Sequence, residues 1–252
     1  MFLPRSSFRR VVELARKPRI RGLLRAVVPP PLLNALARLL FSVFNCGANR
    51  RYLESRSIRK LQIGAGRNAL DGWLSTDLHP WFNVQFLDAT RRFPFDDGTF
   101  DYVFSEHLIE HLEYFDGLGM LTECYRVLKP GGRIRISTPD LGFLIGLYSE
   151  RPSEVQKEYI KWSIQRHYRD ASAPFDTLVI NGFFRNWGHK FIYDHKTLKH
   201  ALEQRGFADI HCSAPGESGD ENLRDVERHG TVIGEDHNRL ESLVVEATKP
   251  CP

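Results

Sequence analysis

The chain has 252 residues, 42% of them apolar and 26% charged, which excludes a disordered or fibrous protein; chains of this length bury around 70% or more of their unfolded surface without needing disulfides or structural metal. Cys46, Cys124, Cys212 and Cys251 stand far apart with no C-x-x-C pair, so neither a disulfide framework nor a zinc knuckle is expected, and a reducing, cytoplasmic setting fits. The net charge of +4 is uneven: residues 1–60 hold 14 Lys and Arg against Glu13 and Glu54, a charge of +12, while the remainder holds 21 against 29 and stands at −8.

The first sixty residues cluster arginines without interleaved aromatics, and the acidic body has no affinity for polyanions, so no nucleic-acid partner is expected. Residues 1–25 lack an uninterrupted apolar run, which excludes a secretory signal; their Arg-rich, acid-poor composition leaves a transit peptide open. Residues 32–44 (LLNALARLLFSVF) are apolar except at Asn34, Arg38 and Ser42, which recur every four residues as one polar stripe on a helix. Such a helix rises only ~20 Å, short of a ~30 Å bilayer core. It either docks on the body or lies peripherally in a membrane interface, with Arg5, Arg9, Arg10, Arg16, Lys17, Arg19, Arg21 and Arg25 facing anionic lipid. Pro29, Pro30 and Pro31 separate it from what precedes.

From residue 57 the texture changes to short apolar runs alternating with helical patterns, as in an α/β domain with a mainly parallel sheet. Residues 1–56 form a basic amphipathic extension, and 57–252 the main domain. Strands are expected at 58–63, 73–76, 84–87, 100–104, 133–137, 209–212 and 242–247. Helices are expected at 106–112, 118–128, 140–148, 153–168 and 194–205, the last closed by Gly206 as a left-handed C-cap.

Chemistry begins where the first strand ends in Ile63-Gly64-Ala65-Gly66, since glycine lets the backbone approach a ligand at the sheet edge where open α/β sheets bind one. Asp77 closes the second strand, where a carboxylate can accept hydrogen bonds from both hydroxyls of a ribose. Asp88-Ala89 follows the third. Each signal alone also suits an ordinary turn or cap; their order along three successive strands is what favours a ligand site.

With these go Phe93-Pro94-Phe95-Asp96-Asp97, Phe100-Asp101-Tyr102-Val103, the segment Ser105-Glu106-His107-Leu108-Ile109-Glu110-His111-Leu112 and Glu123-Cys124-Tyr125-Arg126-Val127-Leu128-Lys129-Pro130-Gly131-Gly132. On these residues the sequence resembles the class I S-adenosylmethionine-dependent methyltransferases, strongly over 61–140. The resemblance implies a seven-stranded, mainly parallel Rossmann-like sheet with helices on both faces, and S-adenosylmethionine as cofactor. It implies that Gly64, Ala65 and Gly66 pass under the methionine portion, that Asp77 holds the ribose, that Leu78 packs on adenine and that Asp88 and Ala89 meet its amino edge. One departure stands out. Only residues 67–72 separate the glycine loop from the next strand, too few for the crossover helix that family members carry.

Methyl transfer from a sulfonium requires chiefly alignment of nucleophile and methyl at about 3 Å, with a base to accept the acceptor's proton where one is needed. His107, Asp140 and His189 are the candidate bases, and His107 is preferred; Asp140 also suits a helix cap, and His189 a structured loop. Glu106 and His107, at a strand's carboxyl end, are expected to line the donor pocket. The acceptor side is expected in the aromatic-rich insertion 142–195, as a lid or a satellite core. No Asn/Asp-Pro-Pro-Tyr-like stretch follows the fourth strand, which by analogy with the family favours oxygen acceptors: a small molecule, a sugar or a lipid-linked glycan. Two rival readings remain. His107, Glu110 and His111 match the H-x-x-E-H spacing of an inverted zinc-protease motif, and the shortened crossover suits a non-catalytic cofactor-binding adaptor. No metal is assigned on the methyltransferase reading.

Overall fold

The computed structural model describes residues 47–80 and 83–252, and the unit treated below is Tyr52–Pro252. The expected helix at 32–44 and the basic arm before it lie outside the described residues. Among the described residues, no helix is long and apolar enough to cross a membrane.

Seven strands form one sheet: β1 (Lys60–Ile63), β2 (Leu74–Asp77), β3 (Gln85–Phe86), β4 (Phe100–Glu106), β5 (Leu128–Pro139), β6 (Ala208–Ser213) and β7 (Ser242–Thr248). Their order is β3-β2-β1-β4-β5-β7-β6. The first five run parallel, and β7 is antiparallel to both β5 and β6. Each expected strand is present. The central strands are buried on both faces: Leu61, Ile63, Val103, Ile134, Ile136 and Val245 fill the apolar one, while the other also holds buried polar side chains, Gln62 and Arg135 among them.

Helix α1 (Tyr114–Val127) lays Leu118, Met120, Leu121, Cys124 and Val127 against that core. A Cβ on its Gly117 would stand 2.6 Å from the Tyr193 hydroxyl, so only glycine allows this approach. After β5 come α2 (Leu141–Gly146), α3 (Glu154–His167), α4 (Asp176–Arg185) and α5 (His195–Glu203). Asp140 caps α2 by accepting from Gly142 N at 2.8 Å, and Ser153 and Gln156 form a reciprocal capping box on α3. Gly206 adopts φ 91° just past α5. The insertion has its own core of Leu144, Leu147, Tyr159, Ile160, Ile164, Val179, Phe183 and Ile192. Two short helices, α6 (Gly230–Ile233) and α7 (Glu235–Glu241), precede β7.

Two features of the fold concern the site: the first agrees with the sequence reading. The connector between β1 and β2 contains no helix, and buried Gln62 holds it instead. Its amide donates to Asn68 O at 2.9 Å and accepts from Leu70 N at 3.0 Å and Ser75 Oγ at 2.7 Å. The second is a correction: residues 106–112 are not a helix. β4 continues to Glu106, held by pairing with Ser137, and His107 N donates to Ser137 O at 2.9 Å. His107 then turns to φ 45°, left-handed geometry that interrupts a right-handed helix, and only a 3-10 turn, Ile109–His111, follows.

Candidate active site

Parallel register places the glycine loop beside the end of β4. Ile63 pairs with Ser105, so Gly64 and Glu106 leave adjacent strands at one level of the sheet edge. Gly64 takes φ 75°, and a Cβ there would lie 2.8 Å from Leu108 Cβ. The loop therefore rests directly on the 106–111 segment, and glycine is required on both counts. Gly66 takes φ 53°, yet a Cβ there would meet nothing within 4 Å, so this side of the loop faces open space. Ala65 is buried and donates to Thr76 O at 3.0 Å, tying the loop to β2.

Asp77 lies at the same edge. One carboxylate oxygen accepts from Gly66 N at 3.0 Å and the other from His79 N at 2.7 Å. Leu78, next in the chain, is 48% exposed, an apolar surface beside the carboxylate. Asp88 caps its own turn, accepting from Thr90 N at 3.1 Å, Thr90 Oγ1 at 2.6 Å and Arg91 Nε at 3.2 Å, and Ala89 packs into the core. Glu106, expected toward the ligand, instead accepts the backbone N–H groups of Arg228 and His229 at 2.8–3.0 Å.

Beyond this edge, a cavity of about 250 Å³ opens at the ends of β4 and β5, walled by the insertion and by residues 229–241. His107 stands at its base. Nδ1 lies 3.0 Å from Glu110 Oε1, so Nδ1 carries a proton and donates to the carboxylate. Nε2 is closed off from solvent and has no hydrogen-bond partner among the described residues. Burial opposes protonation of this imidazole, but the hydrogen bond and charge of Glu110, aided by Glu106 and Glu241, outweigh it and raise its pKa. Glu110 is fully buried. Burial disfavours its charge, yet the His107 hydrogen bond and nearby cations hold its carboxyl below the usual range; its other oxygen accepts from Thr138 Oγ1 at 3.1 Å.

The His229 ring lies 3.9 Å from that of His107, its Nε2 3.1 Å from Glu241 Oε1. Glu241 also accepts from the Tyr159 hydroxyl, whose pKa burial and that carboxylate push far up. His237 stacks on Trp162 at 3.9 Å and 14°. The aromatic insertion is thus both a satellite core and a cavity wall: Tyr159, Trp162, Phe183 and Trp187 face the cavity, while Tyr148 and Phe175 are exposed.

Of the three candidate bases, Asp140 is the α2 cap, whereas His107 and His189 both line the cavity. Burial lowers the His189 pKa. The H-x-x-E-H spacing does not place both histidines on one helical face; Glu110 pairs with His107, and His111 turns toward His189. Sequence reasoning missed His229 and Glu241. They lie in a stretch with no apolar periodicity; Glu106 and Arg135 anchor the part that carries His229, and the bond from Asp140 N to Glu241 O at 2.8 Å beside the β5–β7 pairing brings in Glu241.

In comparison with known proteins, residues 61–136 match the methyltransferase domain family. A demethylmenaquinone methyltransferase of Streptomyces avermitilis is 43% identical over 58 residues, 23% of this chain and 24% of that protein, so the match spans about a quarter of the relative's length. Among solved structures, a SAM dependent methyltransferase from Archaeoglobus fulgidus aligns over 92% of this chain and 100% of its own, at 20% identity and a TM-score of 0.48. Phosphoethanolamine N-methyltransferase 2 of Haemonchus contortus, in complex with S-adenosyl-L-methionine, aligns over 77% and 49%, at 20% identity and a TM-score of 0.39. The family match runs from β1 through the glycine loop, Asp77 and the His107 turn into β5, so it is this 61–136 segment that matches the methyltransferase domain family.

Proposed function

We propose that this chain methylates an oxygen of a small hydroxylated acceptor held in the histidine-lined cavity. The observation that carries this reading is the direct contact of the glycine loop with the segment bearing His107, through Gly64 and Leu108. It sets a donor edge and an acceptor cavity side by side.

The residues fit the methyl donor. The open side of Gly66, the Asp77 carboxylate and the exposed face of Leu78 share one edge and suit, in turn, an amino-acid chain, a ribose and a flat base. Each Asp77 oxygen spends one lone pair on a backbone N–H and keeps another for a hydroxyl. Gly64 and Ala65 shape the loop, and Asp88 and Ala89, on the turn that follows β3, would meet the amino edge of the base. S-adenosylmethionine, when bound, supplies an electrophilic methyl group on a sulfonium.

On the acceptor side, His107 Nε2 receives the hydroxyl proton, with Glu110 fixing the ring and stabilising the imidazolium that results. Glu106 acts on the site indirectly, by holding the backbone at His229. A cavity of about 150 Å³ accommodates benzene, so about 250 Å³ suits one substituted ring, phenol or sugar. Lipid-linked acceptors and peripheral membrane contact through the basic arm belong to the same reading, with only the ring entering the cavity.

The test is calorimetric binding of S-adenosylmethionine and of its demethylated product, followed by transfer of labelled methyl to a panel of phenols and sugars. His107→Ala is expected to leave donor affinity unchanged and to lower kcat by about 100-fold. A folded protein that binds neither donor nor product overturns the proposal.

A further inference from the structure

We infer that Glu110, His111 and His189 form a binding site for one divalent transition-metal ion at the wall of the cavity, going beyond the methyl-transfer reading and independent of it. Each of the three offers one ligand atom, and these atoms lie within 4.8 Å of one another. The set is two imidazoles and one carboxylate, the donor combination that binds zinc and non-haem iron while leaving coordination positions open.

The imidazoles are prepared for the task. His189 Nδ1 lies 2.7 Å from Phe183 O, so its proton sits on Nδ1 and Nε2 carries the lone pair. A ligating histidine is oriented in this way by a backbone carbonyl behind it. The His111 ring meets that of His189 at 4.9 Å in edge-to-face contact and makes no side-chain hydrogen bond among the described residues. Glu110 is a fully buried carboxylate, and each oxygen retains a lone pair beyond its bond to His107 or Thr138.

The backbone is arranged to make this meeting. Lys190 N and Phe191 N donate to Glu110 O at 2.8 and 3.2 Å, pinning the chain just after His189 against the 109–111 turn. Trp187, immediately before, holds φ 56° and Gly188 φ 83°. A left-handed tryptophan is strained, and such strain persists where neighbouring contacts impose the local geometry. Two ligand atoms on one zinc ion stand about 3.3 Å apart, so closure from 4.8 Å asks about 1.5 Å of relative movement, within reach of side-chain rotation. All three residues line the cavity.

The test uses the full chain, stripped with a chelator and titrated with Zn2+ against a chromophoric competitor, and separately with Co2+ read by its ligand-field bands. One equivalent is expected to bind and to raise Tm. His111→Ala and His189→Ala should each weaken binding at least about tenfold, and His189→Gln should do the same while preserving the size of the side chain. Replacing exposed Cys212 and Cys251 by Ser, or exposed His200 by Ala, should leave binding unchanged. Absence of stoichiometric binding, indifference to the His111 and His189 substitutions, or loss on replacing the cysteines overturns the site. Donor calorimetry on the stripped protein keeps the two readings apart, because either can fail while the other stands.

Discussion

At Asp77 one carboxylate does two jobs. It closes the glycine loop through Gly66 N and orders its own turn through His79 N, and it keeps lone pairs for a ligand. Hydrogen bonds to a charged group are worth about 1.5–3 kcal/mol each. Asp77→Ala is therefore expected to weaken S-adenosylmethionine binding by about 10- to 100-fold in calorimetry, and Asp77→Asn by less. Gly64 carries a different constraint. Alanine there would combine a left-handed φ with a 2.8 Å approach to Leu108 Cβ. Gly64→Ala should cost about 1–3 kcal/mol of stability and displace the His107 turn. A urea midpoint equal to that of the unmodified protein would contradict this.

Among the elements, the junction of α1 with the loop before β4 rests on one clamp. Arg126 donates to both oxygens of Glu123, to Phe93 O, to Phe95 O and to Asp97, while Glu123 accepts from Phe93 N. The Arg126 hydrogen bond holds the Glu123 carboxyl below its ordinary value of 4.5. A carboxylate with a depressed folded pKa contributes stability fully above its unfolded pKa, and that contribution is lost as pH falls through the folded value. Glu123→Gln should accordingly be less stable than the unmodified protein at neutral pH, with the difference shrinking below about pH 4.5. Urea midpoints measured across that range check it, and a constant difference would rule it out. The same scale explains the 106–112 misreading: apolar spacing and two histidines four apart suggest a helix, but pairing of Glu106 with Ser137 extends the strand instead.

Across the whole molecule, a fully buried arginine ties the last third of the chain to the sheet. Arg135, with 0% side-chain exposure, bonds Glu227 and Glu246 and donates to Glu217 O and Ala214 O. Through it, the 214–229 stretch lies across the sheet, and Glu106 then seizes the amides of Arg228 and His229. Removing one member of a buried ion network costs about 3–5 kcal/mol, because the remaining charges stay buried. Arg135→Ala should lower stability by that amount and speed hydrogen exchange at residues 228 and 229, far from the substitution in sequence. Unchanged protection at those amides would show that the anchor is not what seats His229.

What the sequence determined by itself is the local part. Apolar runs between turn residues set all seven strands, Ser153 and Asp140 marked helix starts, and Gly64 and Gly66 marked a left-handed turn at the end of the first strand, because burial, capping and left-handed φ are properties of a few neighbouring residues. The absence of a crossover helix was legible from the six residues available, although Gln62, which replaces it, was not. Only the tertiary structure decided that His107 faces His229, that His111 turns to His189 and that Arg135 gathers two distant glutamates. These meetings depend on how crossovers return to the sheet edge. Periodicity fixes which face an element buries, and it carries no information about which distant side chain fills the space opposite.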